Sequence, residues 1–172
     1  MAAAFLKQRL DLVLSLEAEG ETQLEFHPLF TDELYFLVSS RHPWARAGEV
    51  QRAEIARQHY ILYHKHGITF RLVENYFRRE DVVLNTVLEV GGMEATKELV
   101  KLGLGVSILA PWIVQGLRGR LARGPAARTK KLQRRWGVIH WRGKRPNPTE
   151  ETVVGLCKST SATLRLSDPA AA

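Results

Sequence analysis

The sequence predicts an α/β fold, and three observations carry the prediction. The run 84–112, LNTVLEVGGMEATKELVKLGLGVSILAPW, reads as strand, glycine turn, helix, glycine turn, strand and proline stop, which is a compact β-α-β unit. Short apolar runs at 11–16 and 60–63 have the length and composition of buried strands, while 69–79 carries Phe70, Val73 and Phe77 at helical spacing. Finally, 45% of the 172 residues are apolar, enough for a packed core. No stretch reaches the roughly 18 uninterrupted apolar residues of a membrane span, and Lys7, Arg9 and Asp11 interrupt the apolar N-terminus, so no membrane association is expected.

In chain order, 2–9 reads as the end of a helix and 11–16 (DLVLSL) as a strand of the kind buried in a parallel sheet. A polar loop over 17–22 leads into two apolar stretches on either side of Thr31-Asp32-Glu33. The second, Tyr35-Phe36-Leu37-Val38, is extended and ends at Ser39-Ser40 and the Pro43 turn. A modest helix over 49–58, the strand 60–63 and the amphipathic helix 69–79 follow. After the strand 84–90, a helix over 92–102 places Ala95, Leu99 and Leu102 on one face, toward a sheet, with Glu94, Lys97, Glu98 and Lys101 on others. Gly103 and Gly105 supply the freedom to leave that helix and enter 106–109, with parallel pairing through the helix implied. A return strand over 135–141 and a closing helix over 149–163 complete the order, the helix capped by Thr149 with Thr152 at N3. Residues 167–172 are expected to fray.

Three runs in this order, FTDELYFLVSSRHPWA, HKHGITFRLVENYF and VGGMEATKELVKLGLGVSILAPW, together resemble the effector-binding domain of LysR-type transcriptional regulators, over about residues 5–159. The resemblance implies a two-lobed, type 2 periplasmic binding-protein-like fold with crossing strands. Its first lobe, 1–38 with 142–172, would be incomplete, and its second would span 39–141. It also implies that a winged helix-turn-helix DNA-binding domain, a linker helix and the first strand and helix of lobe I precede residue 5 in the family and are absent here. Strand 11–16 would then lack a neighbour, and its apolar edge would make this chain less stable than a complete domain. The function implied is a non-enzymatic, cytoplasmic one-component regulator, binding a small anionic metabolite between the lobes without a cofactor. DNA would be reached only through the absent domain, and the full-length protein would be a homo-oligomer. The alternative on the same fold is the solute-binding component of a transporter, which requires an export signal that is not visible here.

Charge is unevenly spread. Lys and Arg number 25 against 18 Asp and Glu, yet 118–149 holds eleven basic residues and no acidic one, leaving 14 basic and 18 acidic elsewhere. Such a block attracts phosphates. Gly116, Gly119, Gly124 and Pro125 in and beside it, and the missing helical period, fit a solvated loop and strand edge better than a groove-reading element. Trp136 and Trp141 read as core and strand residues. The single Cys157, in VVGLCKS, cannot form an intramolecular disulfide and reads as a structural thiol on an apolar helix face. Enzyme signatures (HExxH, GxGxxG, a phosphate-binding loop, a nucleophile elbow) are missing, and the adjacent pairs Asp32-Glu33, Glu80-Asp81 and Glu150-Glu151 diverge instead of converging.

Ligands of open α/β sheets bind beyond the carboxyl ends of strands. Three loops meet that condition. In His64-Lys65-His66-Gly67-Ile68-Thr69, a helix N-terminus, Lys65 and the Thr69 hydroxyl suit a carboxylate or phosphate. In the family the matching loop holds the effector. Thr69 as a plain N-cap with Lys65 in solvent is an equally compatible reading. His64 and His66 share a strand face, but no third ligand is placed nearby, so no metal is expected. At Gly91-Gly92-Met93 glycine lets the backbone approach a ligand, or simply makes a tight turn. The third loop is Ser15-Leu16 at the end of the first-lobe strand, with Ser15 as the hydrogen-bonding residue.

Overall fold

In a computed structural model of the chain, the residues described are 10–17, 22–46, 50–64, 67–114, 121–123 and 132–166. They belong to two compact units, Met1–Asp32 with Arg134–Ala172, and Glu33–Gln133. The units part at 32/33 and 133/134, earlier than the 38/39 and 141/142 read from the sequence, because strand pairing draws the lines. Strand β3 (Tyr35–Ser39) pairs inside the second unit, whereas most of β8 (Gln133–Trp141) pairs inside the first.

The first unit is built on a three-stranded sheet in the order β1 (Leu12–Leu16), β8, β2 (Leu24–Glu33). β1 runs antiparallel to β8, with Leu12 opposite His140 and Leu16 opposite Trp136, so the expectation of a parallel strand is overturned. A short apolar run records burial but not direction. Even its burial is partial: Ser15 and Leu16 are buried, while Leu14 is 52% exposed. Gly137 in β8 is obligatory, since a Cβ there would lie 2.4 Å from the His27 carbonyl oxygen. At the far end of the sheet the buried Arg134 guanidinium forks onto Asp32, with Nε 2.8 Å from Oδ1. Trp136 Nε1 donates to Asp32 Oδ2 at 3.1 Å, and its ring stacks on Phe30.

Helix α4 (Pro148–Leu166) closes the unit, and its cap differs from the one expected. Asn147, not Thr149, is the capping residue. Glu150 N–H donates to Asn147 Oδ1 and Asn147 N–H donates to Glu150 Oε2, each at 2.9 Å, with Pro148 at N1. This is a reciprocal capping box with Asn in the Ser/Thr role, and Pro148 is pre-set for the first helical position. Cys157 is half-buried, but Val153 and Leu156 beside it are exposed. Residues 2–9 and 167–172 lie outside the described residues, as do Gly116, Gly119, Gly124 and Pro125 of the basic segment.

In the second unit β3 lies between β6 (Ser107–Leu109) and β7 (Leu121–Arg123), antiparallel to both. β4 (His59–Leu62) pairs parallel with β5 (Asn85–Glu89), and an isolated parallel bridge joins Tyr60 to Val106. The two ends of the β-α-β unit therefore flank β4 on opposite sides, parallel to it but not paired with each other. The amphipathic helix α2 (Ile68–Arg79) buries Phe70, Val73 and Phe77, as their spacing predicts, and a short helix α1 (Arg52–Arg57) buries Ile55. Helix α3 (Met93–Lys101) turns a different face inward: Thr96, Lys97 and Val100 are buried, whereas Ala95 is exposed, Leu99 half-buried and Leu102 73% exposed.

Two physical causes shift that face. Leu102 is the C-cap, past the last helical turn, and Gly103 at φ +77° forms a Schellman turn, with Gly103 N–H on the Val100 oxygen and Leu104 N–H on the Leu99 oxygen. Lys97 meanwhile buries its methylene stem and delivers its ammonium to Glu94 Oε1 and, at 3.4 Å, the Ile113 oxygen, so a lysine serves as an inward-facing residue. Behind this layer Phe36, Trp44, Tyr60 and Phe77 form an aromatic core, with the Tyr60 hydroxyl donating to the Ile55 oxygen at 2.9 Å and its pKa pushed up by burial. No described helix is long and apolar enough to cross a membrane.

Candidate functional site

Parallel pairing of β4 with β5 sets their carboxyl ends side by side. Leu62 is opposite Glu89, and Val90 N–H donates to the Leu62 oxygen at 2.9 Å, so the chain leaves the sheet at Tyr63-His64 and Val90-Gly91 together. The two loops meet there: a Cβ on Gly91 would lie 3.0 Å from His64 Nε2. Gly91 thus leaves space for the imidazole, which a larger residue would displace. Gly67 N–H donates to the His64 oxygen at 3.0 Å and closes the turn leading into α2.

Each loop ends in a helix whose N-cap is glycine, Gly67 for α2 and Gly92 for α3, both in extended backbone and without a side-chain cap. The first-turn N–H groups have no intrahelical acceptor and carry the positive end of the helix dipole. Thr69 is the second residue of α2 and half-buried, so its reading as the N-cap is corrected: Gly67 takes that place because the helix starts earlier than its apolar period announces. Met93 opens α3 and is 40% exposed. Lys65 and His66 lie outside the described residues. Ser15 and Leu16 belong to the first unit, 7% and 5% exposed, with Ser15 opposite Gly137 in the strand pair.

Within the second unit a third carboxyl end joins the two read there from sequence. Because Val106 bridges parallel to Tyr60, β6 runs the same way as β4 and releases Ala110-Pro111 at the same edge. The Tyr63 hydroxyl donates to the Ile108 oxygen at 2.9 Å and ties the two exits together. The signal was present in the sequence as an apolar run, 106–109, stopped by Pro111, to which the carboxyl-end rule applies as much as to 60–63. A separate cavity of about 130 Å³, lined in part by Leu62, Phe70, Phe77, Val82 and Thr86, contains none of the expected loop residues.

The model of the LysR substrate binding domain family matches residues 1–162. Among curated proteins, the chain is similar to the malolactic fermentation system transcriptional activator of Lactococcus lactis subsp. lactis, at 30% identity over 112 residues, 64% of this chain and 38% of that protein. It is also similar to the uncharacterized HTH-type transcriptional regulator YybE of Bacillus subtilis, at 30% identity over 146 residues, 83% of this chain and 48% of that protein. The chain thus spans less than half the length of these relatives. Among solved structures, the regulatory domain of Synechocystis PCC6803 CcmR, in complex with 2-PG, superposes with a TM-score of 0.84 at 23% identity, covering 93% of this chain and 77% of that one. That likeness is one of fold, and the fold is the type 2 periplasmic binding protein-like α/β fold. The chain belongs to the LysR substrate-binding domain family.

Proposed function

We propose that this chain is the effector-sensing part of a LysR-type transcriptional regulator and that a small anionic metabolite binds where β4 and β5 end. The observation that carries the reading is the seating of His64 against Gly91 between two helices that both start at glycine. An anion at that edge would accept hydrogen bonds from first-turn N–H groups of α2 and α3, and two dipoles would favour its charge. Gly92 and Met93 would contribute backbone donors, Thr69 its hydroxyl, and Lys65 and His66 side-chain donors from the intervening loop. Gly67, its own N–H held by the His64 oxygen, would open the first turn of α2 to the anion. Ser15 and Leu16 are assigned to the effector from the family resemblance alone.

Regulatory relatives support sensing over catalysis, since the proteins similar to this chain are transcriptional regulators. Two solved relatives of the same fold are complexes with small molecules, CcmR with 2-PG and QuiR with shikimate, and shikimate is a carboxylate. By this reading the whole protein binds DNA through a separate domain and works as a homo-oligomer in the cytoplasm. The effector acts by binding one conformation better than another.

A thermal-shift titration tests the proposal, with carboxylates, phosphates and aromatic acids as probes, 2-PG and shikimate among them. A true ligand raises Tm with its concentration, by about 2.7 kcal/mol of stability at a hundred times Kd. His64→Ala and Thr69→Ala are expected to weaken a hit by about tenfold or more, about 1.4 kcal/mol each, and His64→Ala, at an exposed residue, to change the ligand-free Tm little. A folded chain that responds to no anion in the panel would defeat the anionic-effector reading.

A further inference from the structure

We propose that Glu25, His27 and His140 form a binding site for a divalent transition metal ion of the zinc type within the first unit. Such a site is independent of the effector reading and departs from the sequence expectation of no metal. Glu25 and His27 stand at i and i+2 on β2, so their side chains share one face of the strand. His140 comes from β8, the neighbour of β2 in the sheet. One ligand atom from each of the three residues lies within 4.8 Å of the others. His27 Nε2 is 3.6 Å from Glu25 Oε1 and 2.5 Å from His140 Nε2.

The tautomer of His140 is fixed by its surroundings. Its Nδ1 lies 2.9 Å from the Trp141 carbonyl oxygen, which can only accept, so Nδ1 carries the hydrogen and, in the neutral imidazole, Nε2 offers its lone pair on the side of His27. A ligating histidine held by a backbone carbonyl through its other nitrogen is the usual outer-shell arrangement at metal centres. His140 is 7% exposed and held in place, while the side chains of His27 and Glu25 are 41% and 46% exposed, so an ion has an entry side and a position open to water. Two imidazole nitrogens about 2.0–2.1 Å from one tetrahedral ion stand roughly 3.3 Å apart. The present pair is closer and its rings stack nearly parallel at 12°, so the His27 ring has to turn before both in-plane lone pairs meet one ion, and its half-exposed side chain leaves it room to do so. Two imidazoles and a carboxylate suit zinc, nickel or copper and not the oxygen-seeking magnesium or calcium. The ion would clamp β2 to β8, the strands along which the chain leaves and re-enters the first unit.

Zinc chloride titrated into the tag-free, EDTA-treated chain, followed by calorimetry and by Tm, tests this directly. One zinc per chain and a rise in Tm are expected, with cobalt giving the visible absorption of a tetrahedral site and with magnesium and calcium giving no shift. His27→Gln and Glu25→Gln replace half-exposed side chains with polar ones and should keep the far-UV circular dichroism and most of the apo Tm while weakening zinc by about tenfold or more. His140→Gln should abolish uptake, but the deciding variant is His27→Gln because it keeps its fold. The double variant His64→Ala, His66→Ala should bind zinc normally. No uptake by the wild-type chain, uptake that survives His27→Gln, or uptake lost only with His64 and His66 would each overturn the proposal.

Discussion

The second unit packs Phe36, Trp44, Tyr60, Val73, Phe77 and Ile108 into one continuous apolar cluster, and a smaller cluster of Leu37, Ile61, Val100 and Leu109 sits beside it. The first unit instead buries Arg134, His140, Glu150 and Ser161 alongside Leu16, Leu29, Val138 and Ile139, a larger polar share than the Thr96, Lys97 and Ser107 that the second unit buries within its much larger apolar set; exposed large apolar side chains occur in both. Apolar packing is non-directional and degrades gradually as atoms are removed. Buried charge depends on particular partners, and losing one partner strands the other. Two halves of one chain are thus held by different physics: the candidate effector loops rest on a conventional core, and the candidate metal ligands on a sheet fastened by polar contacts.

The largest effect should come from breaking the first unit's buried pair. Asp32→Ala leaves the Arg134 guanidinium, 4% exposed at its side chain, without its fork and takes the acceptor from Trp136 Nε1. A loss of about 3–5 kcal/mol is expected, read by urea unfolding with hydrogen exchange resolved to each unit. Exchange should rise in β1, β2 and β8 while β4 stays protected. The matching deletion in the second unit is Ile61→Ala, at a residue with 0% exposure, with an expected loss of about 2–5 kcal/mol. A stricter contrast comes from the paired replacement Asp32→Leu, Arg134→Met, which should recover most of the Asp32→Ala loss because an apolar pair leaves no stranded charge. If that double variant were as unstable as the single one, the distinction between the units would fail.

How far the sequence carried this picture differed with the kind of signal. Helix α2 was legible because Phe70, Val73 and Phe77 state both its period and its buried face. Strand β4 was equally legible from its apolar composition. Helix α3 was placed correctly along the chain but turned wrongly about its axis, since nothing in the pattern says that Lys97 will bury its stem. Direction was invisible in β1, because an apolar run fits a parallel or an antiparallel neighbour. The His64 and Gly91 loops were identified separately, and only the parallel pairing of β4 with β5 brings them together. The Glu25, His27 and His140 cluster was hidden because its third member is 113 positions from His27 in sequence and adjacent only through the sheet.

Helix α4 provides the gentlest probe of the polar unit. Asn147→Ala removes the acceptor for Glu150 N–H and should cost about 1 kcal/mol by thermal or urea unfolding. The reciprocal half is sensitive to pH. The Asn147 N–H, and after it the Lys144 ammonium 3.0 Å away, hold the Glu150 carboxyl below its usual range. A carboxylate so held stabilises the fold above its ordinary titration range, and the contribution drains away as pH falls through the lower folded value. Lys144 is displaced in the opposite sense, upward, first by Asp11 and then by Glu150. Its contribution is therefore complete below the ordinary ammonium range and is lost as alkaline pH rises through the folded value. Glu150→Gln should accordingly flatten the acid limb of the Tm profile relative to wild type, and Lys144→Gln the alkaline limb. Parallel profiles for Glu150→Gln and wild type would mean that the buried end of α4 is held by its neutral hydrogen bonds alone, and that the polar character of the first unit resides in Arg134 and Asp32.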